Sequence, residues 1–386
     1  MHLMGKAHGR TLAFVTLVTL ACAGQQGSAA GAGKPTPAGG PAATQAAARP
    51  GNGSRPAGAP NAAGAAAAAA TPAAGAPAAP VGLDSIALLA AIRGILDSLP
   101  AQTAFHAKHL PTGREIAIRA DVPMNTASVI KLPVMVLAYR DVEAGGAVIL
   151  EARRLIGPDD MRRGSGVLQT FEIGLNPTWR DLITQMIITS DNTATDILIA
   201  KVGRDRVNRL LDSLGYKQTL LQMTTGRLFR ATWETVDTAF AALSDREVFE
   251  KGFPTDSAAP RRMAALVADP NRWLGRTTAR ETSRLLEQLE RGELAGRRAT
   301  EEMRNILRRQ VYSSRLPSHL RGRVVIGHKT GDWPPYLAND VGIIYAPSGP
   351  IVISAFASEN KGSYAAVEDA IGRIAELVFN AWGAGT

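Results

Sequence analysis

The chain has 386 residues, a net charge of +9 and one cysteine, so it is long enough for two domains and has no disulfide framework. Its composition is uneven: 46 of the 60 residues from 23 to 82 are Ala, Gly or Pro, and none is acidic or aromatic. Such a stretch cannot bury enough apolar surface to fold. Residues 1–82 carry +5 of the charge, and the rest shows no basic cluster with interleaved aromatic residues, which argues against nucleic-acid binding.

Residues 1–22 have the pattern of an export signal. Lys6 and Arg10 precede the apolar run Thr11–Leu20, which is too short to span a bilayer, and small residues follow it. We therefore expect the protein to be exported, to the periplasm or the cell envelope.

Cys22 stands where a bacterial lipoprotein carries its lipidated cysteine, although the leucine usual three positions earlier is replaced by Thr19. Lipidation at Cys22 would tether the protein to a membrane, and simple secretion is the alternative. Residues 23–82 are then a disordered linker to a folded domain that we expect at 83–386.

In chain order, the folded part predicts a helix at 85–96 behind an acidic cap at Asp84, then strands at Thr103–His109 and Glu115–Arg119. Helical patterns dominate the middle of the chain, at Ser128–Asp141, Thr178–Ile188, Thr193–Val202, Arg206–Leu214 and Ala279–Arg291. Strand patterns return at Val324–Ile326, Val341–Tyr345 and Ile351–Phe356, before a final helix at Ala365–Ala381. This order predicts an α+β fold in which the N- and C-terminal strands form one antiparallel sheet beside an all-helical subdomain.

A serine and a lysine, Ser128 and Lys131, stand three residues apart at the start of a predicted helix. Positions i and i+3 share a helix face, so the hydroxyl lies beside the amine. A desolvated lysine can be the base that activates a serine nucleophile. A second Ser-x-x-Lys, Ser358–Lys361, follows a strand and runs into Gly362, so we expect no catalytic role for it.

A Ser-Asp-Asn sequence, residues 190–192, lies between two predicted helices. Ser190 could pass a proton to a leaving group, and Asn192 could bind a substrate amide and hold the lysine. Asp191 is expected to cap the helix that starts at Thr193. A simple capping turn is the alternative interpretation.

A Lys-Thr-Gly sequence, residues 329–331, follows a predicted strand. Lys329 and Thr330 could bind a substrate carboxylate, and Gly331 would let the substrate approach the backbone. The alternative is an exposed strand end with a solvated lysine.

These motifs occur in the order known from class A β-lactamases and penicillin-binding proteins, and the chain from about Leu83 to Trp382 resembles the class A β-lactamase-type serine hydrolases. The segments that carry the resemblance also include Ala127–Pro133, Gly164–Gln169, Met186–Thr195, Thr277–Arg280 and Asn339–Gly342.

The resemblance implies that Ser128 attacks an amide or lactam carbonyl, that Lys131 activates it and that Ser190 protonates the departing nitrogen. The backbone N–H groups of Ser128 and Asp332 would form the oxyanion hole. We expect a monomer that acts on a β-lactam or a cell-wall peptide and uses neither a metal nor a cofactor.

The sequence departs from this family at the glutamate that activates water to release the acyl group. Counted from Leu214, that glutamate would fall near Thr225, where residues 222–228 contain no acid. Glu234 is the next carboxylate and a candidate substitute base, with a surface or helix role as the alternative, and segment 216–276 is longer than usual. Loss of a general base costs about 10²–10⁴-fold in rate, so we expect fast acylation and slow release.

Three functions remain open: a hydrolase that turns over β-lactams, a penicillin-binding-protein-like acyl enzyme for cell-wall peptide, and a non-catalytic envelope binding protein. The intact motifs argue against the third, because an inactive site has no need of Lys131 or Lys329. The missing glutamate argues against efficient lactam hydrolysis.

Overall fold

The structure, a computed structural model, describes residues 83–384. The predicted export signal, Cys22 and the predicted linker lie outside the described residues and stay predictions from the sequence. Of the helices in the described part, none is both long and apolar enough to cross a membrane.

Within residues 83–384 the structure has eight strands: β1 (Gln102–His109), β2 (Glu115–Ile118), β3 (Met124–Asn125), β4 (Leu220–Leu221), β5 (Gly275–Thr277), β6 (Ile326–Trp333), β7 (Leu337–Ala346) and β8 (Gly349–Ser358). Five of them form an antiparallel sheet in the order β2-β1-β8-β7-β6, so the N- and C-terminal strands meet in one sheet as predicted. The short strands β3, β5 and β4 form a second sheet.

The same part of the chain has eleven α-helices: α1 (Leu83–Asp97), α2 (Lys131–Glu143), α3 (Trp179–Ile188), α4 (Asn192–Val202), α5 (Arg204–Ser213), α6 (Thr225–Glu234), α7 (Asp245–Lys251), α8 (Ala259–Ala268), α9 (Ala279–Arg291), α10 (Arg297–Leu307) and α11 (Tyr364–Trp382). The fold class predicted from the sequence, α+β with a terminal sheet and a helical subdomain, is therefore confirmed.

The five-stranded sheet separates two hydrophobic layers. Alternate side chains of β8 point to opposite faces, so Ile353 packs with Ile92 of α1 and Ile374 of α11. Val352, its neighbour, joins the core shared with Leu286 of α9 and the helical subdomain. The sheet thus has apolar packing on both faces, and β6 at its edge borders the helical subdomain.

Helix α2 runs through the centre of the helical subdomain, with α3, α4, α5 and α10 packed around it. Its apolar side chains are buried on all sides, namely Leu132, Val134, Met135, Val136, Leu137 and Ala138. A helix that is hydrophobic all round has to be buried. The lysine at its first position is consequently carried into the interior.

The structure corrects the sequence prediction at two functional motifs. Ser128 lies in a 3₁₀ turn, Ala127–Ile130, and α2 begins only at Lys131. Residues 329–331 lie inside β6, not after a strand that ends at Ile326. The prediction was wrong there because both faces of β6 are covered, so its polar residues do not alternate with apolar ones as in a half-buried strand.

Four helices, α6, α7, α8 and α10, were not predicted. In α10 the buried Ala299, Met303 and Ile306 recur at helical spacing between charged residues, so the sequence carried an amphipathic pattern that was missed. The other three lie in segment 216–276, which the sequence singled out only for its length.

Gly331 allows β6 to pack closely on the turn that carries Ser128. A methyl group built on Gly331 would lie 2.5 Å from the carbonyl oxygen of Thr126 and 3.2 Å from the Val129 side chain. Any larger residue therefore has to push the strand away from the turn.

We expect Gly331→Ala to lower the free energy of unfolding by about 1–3 kcal/mol, because it overpacks a closely packed contact. Urea unfolding measures this change. The matched control is Gly94→Ala in α1, where the added methyl meets no atom within 4 Å and should raise stability by up to about 1 kcal/mol. Equal stability of Gly331→Ala and the wild type would contradict the packing argument.

Candidate active site

The turn at Ser128 is built by a backbone that few residues adopt. Ala127, just before it, has φ +40°, and its N–H donates to the Asn125 side chain at 3.0 Å. The N–H of Lys131 donates to the Ser128 carbonyl, which closes one 3₁₀ turn. Side chains three residues apart in a 3₁₀ turn eclipse each other, so Ser128 and Lys131 leave the turn on the same side although the helix type differs from the predicted one.

The Lys131 side chain is fully buried and ends among three acceptors. Its Nζ donates to the Ser190 carbonyl at 2.7 Å, to the Ser190 hydroxyl at 3.2 Å and to Asn192 Oδ1 at 2.9 Å. Burial, reinforced by the positive charge of Lys329, holds the pKa of the Lys131 ammonium well below its ordinary range. The amine can therefore lose its proton and act as a base.

Within the described residues no hydrogen bond joins the Ser128 hydroxyl to Lys131. Catalytic hydrogen bonds are often long in a free enzyme and tighten when substrate binds. Ser128 is 9 % exposed and opens to a cleft, whereas Lys131 lies beneath it, so the serine is the group that a ligand meets first.

Ser190 joins the two lysines. It has φ +55° at the junction of α3 and α4, and this left-handed backbone lets both its carbonyl and its hydroxyl accept from Lys131. The same hydroxyl accepts from Lys329 Nζ at 3.0 Å. The structure thus brings together three residues that are distant in sequence.

The residues after Ser190 position the start of α4. Asp191 caps this helix as predicted, through an N–H bond from Ala194 at 2.9 Å, and also accepts from the N–H of Leu168 at 2.8 Å. Burial raises the pKa of the Asp191 carboxyl. Asn192 donates to the Arg163 carbonyl at 2.9 Å, which orients its oxygen towards Lys131.

Lys329 is also fully buried, on β6, where its Nζ donates to the Thr330 carbonyl at 2.7 Å. Burial lowers the pKa of the Lys329 ammonium to about 7, although the carboxylates of Asp332 and Asp340 oppose the shift. The Thr330 hydroxyl is buried and has no hydrogen-bond partner in the described part of the chain. A polar group in this state is available to a ligand.

The side chain of Asp332 faces a polar group that the sequence analysis missed. Arg315 donates to Asp332, to the Tyr364 hydroxyl at 2.9 Å and to Glu368 at 3.1 Å. Tyr364 donates in turn to Asp332 at 2.8 Å. No motif singles out Arg315, because the loop after α10, strand β6 and helix α11 meet only in the folded protein.

The cleft has a volume of about 580 Å³. Predicted site residues Ser128, Asn192 and Asp332 line it, and so does Thr225. The remaining walls are mainly apolar and include Leu228, Phe229, Phe253, Pro254, Met263, Leu274 and Trp333. Among the described cleft-lining residues, the carboxylates are those of Asp332 and Glu368, and both pair with Arg315.

The structure does not bring Glu234 to this cleft. Glu234 ends α6, and its carboxylate pairs with Arg227 at 2.9 Å and with Arg272 at 3.7 Å. Thr225 at the other end of α6 does line the cleft. The position near which the water-activating glutamate is expected therefore lies at the cleft, but its side chain carries no carboxylate. The proposed substitute base was wrong because two turns of helix carry Glu234 away from the site.

The second Ser-x-x-Lys sequence contributes nothing to the cleft. Ser358 ends β8, and Lys361 is exposed. Among residues 83–384, no group of three or more His, Cys, Asp or Glu side chains could hold a metal ion.

Comparisons with known proteins bear on the family and the fold of this chain. The profile of the β-lactamase enzyme family matches residues 87–382. A β-lactamase from Sphaerobacter thermophilus is 27% identical, with a TM-score of 0.62, and the match covers 77% of this chain and 97% of that one. Among curated protein sequences no match was found.

Two more distant structures share the fold. PBP-A is 20% identical with a TM-score of 0.58, over 77% of this chain and 96% of that one, and was determined as an acyl-enzyme complex with penicillin G in a variant with glutamate in place of a leucine. The TLA-3 extended-spectrum β-lactamase is 18% identical with a TM-score of 0.62, over 76% of this chain and 98% of that one.

The free energy of unfolding should rise as the pH increases from about 7 to about 10.5. Folded Lys329 releases its proton near pH 7, whereas an unfolded lysine keeps it up to about 10.5. The unfolded chain then binds more protons than the folded chain, so stability increases with pH in this window. Lys329→Met should remove part of the rise and leave the part due to Lys131.

Urea unfolding at several pH values in this window measures the effect. Lys361→Met, at an exposed lysine, controls for the loss of an ammonium group elsewhere. A rise of equal size in Lys329→Met and the wild type would contradict the lowered pKa.

Proposed function

Because the chain belongs to the β-lactamase enzyme family, we propose that it is a serine hydrolase that opens β-lactam-type amides through an acyl-enzyme on Ser128. The supporting observation is that two buried lysine amines, those of Lys131 and Lys329, lie within 3.2 Å and 3.0 Å of the Ser190 hydroxyl, beneath a cleft that opens at Ser128.

Acylation begins when the Ser128 oxygen forms a bond to the carbonyl carbon and its proton moves to the neutral Lys131 amine. The carbon–nitrogen bond then breaks. The departing nitrogen takes the hydroxyl proton of Ser190, which is replaced from the ammonium of Lys131 or Lys329. The lowered pKa values of both lysines suit this exchange near neutral pH.

Binding would use the groups around this proton path. The backbone N–H groups of Ser128 and Asp332 would hold the oxyanion. The partnerless hydroxyl of Thr330, beside the charge of Lys329, would bind a substrate carboxylate. The Asn192 amide at the cleft wall would contact a substrate amide.

Release of the acyl group should be slow. Thr225 stands where the water-activating glutamate is expected, and the two carboxylates of the described cleft lining are engaged by Arg315. The same observation favours a second candidate, a penicillin-binding-protein-like enzyme that acts on cell-wall peptide. Such an enzyme tolerates slow hydrolysis of its acyl-enzyme.

A non-catalytic binding protein is disfavoured by the cost of burying two amines, which is several kcal/mol each unless function or pairing offsets it. Export and a membrane tether at Cys22 belong to the proposal as predictions from the sequence. They would place the cleft on the side of the membrane where cell-wall peptide and β-lactams occur.

Incubation with a chromogenic cephalosporin should give an intact-mass adduct that is abolished in Ser128→Ala. The matched control is Ser358→Ala, which removes the serine of the second Ser-x-x-Lys sequence, and it should still form the adduct. Rapid turnover would support the hydrolase, and a persistent adduct the cell-wall enzyme. If neither an adduct nor turnover is observed, both candidates are overturned.

Thr225→Glu should shorten the lifetime of this adduct by up to about 10²-fold, because it places a general base at the buried edge of the cleft. The adduct is followed by intact mass after free cephalosporin is removed. Thr225→Gln has the same size without a base and should not accelerate release, and Glu234→Gln should leave turnover unchanged. Equal lifetimes in Thr225→Glu and Thr225→Gln would contradict the missing-base explanation.

A further inference from the structure

A second pocket, which we call the α2 pocket, lies where the end of α2 meets the first turns of α3 and α10. Its volume is about 480 Å³, which is within the range of pockets that bind small molecules. We propose that it is a binding site for a small amphipathic amine, that is, an apolar group that carries one ammonium. The inference does not depend on the proposed acylation, because none of the described residues lines both the α2 pocket and the cleft.

The α2 pocket is remote from the proposed nucleophile. Tyr139 and Glu143, from the last turns of α2, line it, whereas Lys131 is the first residue of the same helix. At a rise of about 1.5 Å per residue, Glu143 lies about 18 Å along the helix axis from Lys131. A ligand in the α2 pocket therefore does not meet the groups proposed to carry out acylation.

The reversal of the chain after α2 keeps the pocket open. Gly145, which has φ +63°, and Gly146 follow the helix and line the pocket without side chains. A methyl group built on Gly145 would meet no atom within 4 Å. The Asp141 carboxylate accepts from the N–H of Val148 at 2.9 Å, which holds the reversed chain against the helix. The opening is therefore built into the backbone of this turn.

Part of the lining of the α2 pocket is apolar. Ile149 lines the pocket and is 62 % exposed, more than any other large apolar side chain in the described part of the chain. The other largely apolar side chains of the lining are Tyr139, Val142, Val148, Leu150 and Ala299. A ligand with an aromatic or aliphatic group would cover Ile149, and the removal of apolar surface from water favours binding.

Two arginines line the α2 pocket, and carboxylates already engage both of them. Arg180 donates to Glu151 at 2.7 Å and also to Glu302, and Arg298 pairs with Glu302 at 3.3 Å. The Tyr139 hydroxyl donates to the same Glu302 carboxylate at 3.1 Å. These contacts join α2, α3 and α10 around the pocket. An anionic ligand would have to displace a carboxylate to pair with either guanidinium.

Glu143 is the carboxylate of the pocket that is left for a cationic ligand. Its Oε2 accepts from the N–H of Gly296 at 3.0 Å, just before α10 begins. Within residues 83–384 no cationic side chain pairs with this carboxylate. The lining has three carboxylates and two guanidinium groups, so its net charge is negative. Glu143 would therefore attract an ammonium and repel an anion.

The experiment titrates the full chain with 2-phenylethylammonium and with 2-phenylethanol, which has nearly the same size and no charge. Two-dimensional NMR locates and measures binding through the backbone amide signals of Gly145 and Gly146. In Glu143→Gln we expect the preference for the ammonium over the alcohol to fall about two- to fivefold, as is usual when one exposed ion pair is lost. In Ile149→Ser both ligands should bind at least about fourfold more weakly, which is the effect of one buried methylene.

Glu172→Gln and Leu155→Ser are the matched controls. Both residues are exposed, and neither lines the α2 pocket. Each control removes the same kind of group as its test variant and should bind both ligands as the wild type does.

Three results would overturn the proposal. The first is that the two glycine signals of the wild type show no saturable shift with 2-phenylethylammonium. The second is an unchanged preference for the ammonium in Glu143→Gln, and the third is a loss of binding in the controls equal to that in the test variants. Each of these results leaves the proposed acylation of Ser128 untouched, because that reaction is measured separately in the cleft.

Discussion

The structure depends on the burial of two lysine amines against one serine hydroxyl. Lys131 and Lys329 are both fully buried, and both donate to Ser190. Removing two ammonium groups from water is costly. Burial disfavours the charged form of each amine, so the pKa values of Lys131 and Lys329 are both lowered. The fold has to hold α2, the α3–α4 junction and β6 in register, because a small shift of any one of them would leave an amine without its acceptors.

Polar contacts between distant segments provide that register. Asn339 on β7 is fully buried and donates to the carbonyls of Asn125 at 2.9 Å and Thr126 at 3.2 Å, just before the turn of Ser128. Gly331 on β6 lets the strand approach Thr126 closely. The sheet and the helical subdomain are therefore joined at the nucleophile, which places the serine at their boundary, where the cleft opens.

A second anchored region shapes the other wall of the cleft. Asp196 on α4 accepts from the backbone N–H groups of Thr225 and Gly226, and also pairs with Arg162. This carboxylate fixes the start of α6, so Thr225 faces the cleft in the place where a base would be useful. The rest of α6 adds the apolar side chains of Leu228 and Phe229 to the lining of the cleft.

The sequence by itself determined the α+β class, the order of its elements and the three motifs with Ser128, Ser190 and Lys329, because periodicity and spacing are local properties of the chain. It also showed that residues 222–228 contain no acid. Only the tertiary structure decided that the Lys-Thr-Gly motif lies within β6, that Glu234 points into an ion pair away from the cleft, and that Arg315 and several apolar side chains line the cleft. Those features arise where segments far apart in sequence pack together, and burial and charge pairing between such segments leave no local pattern to read.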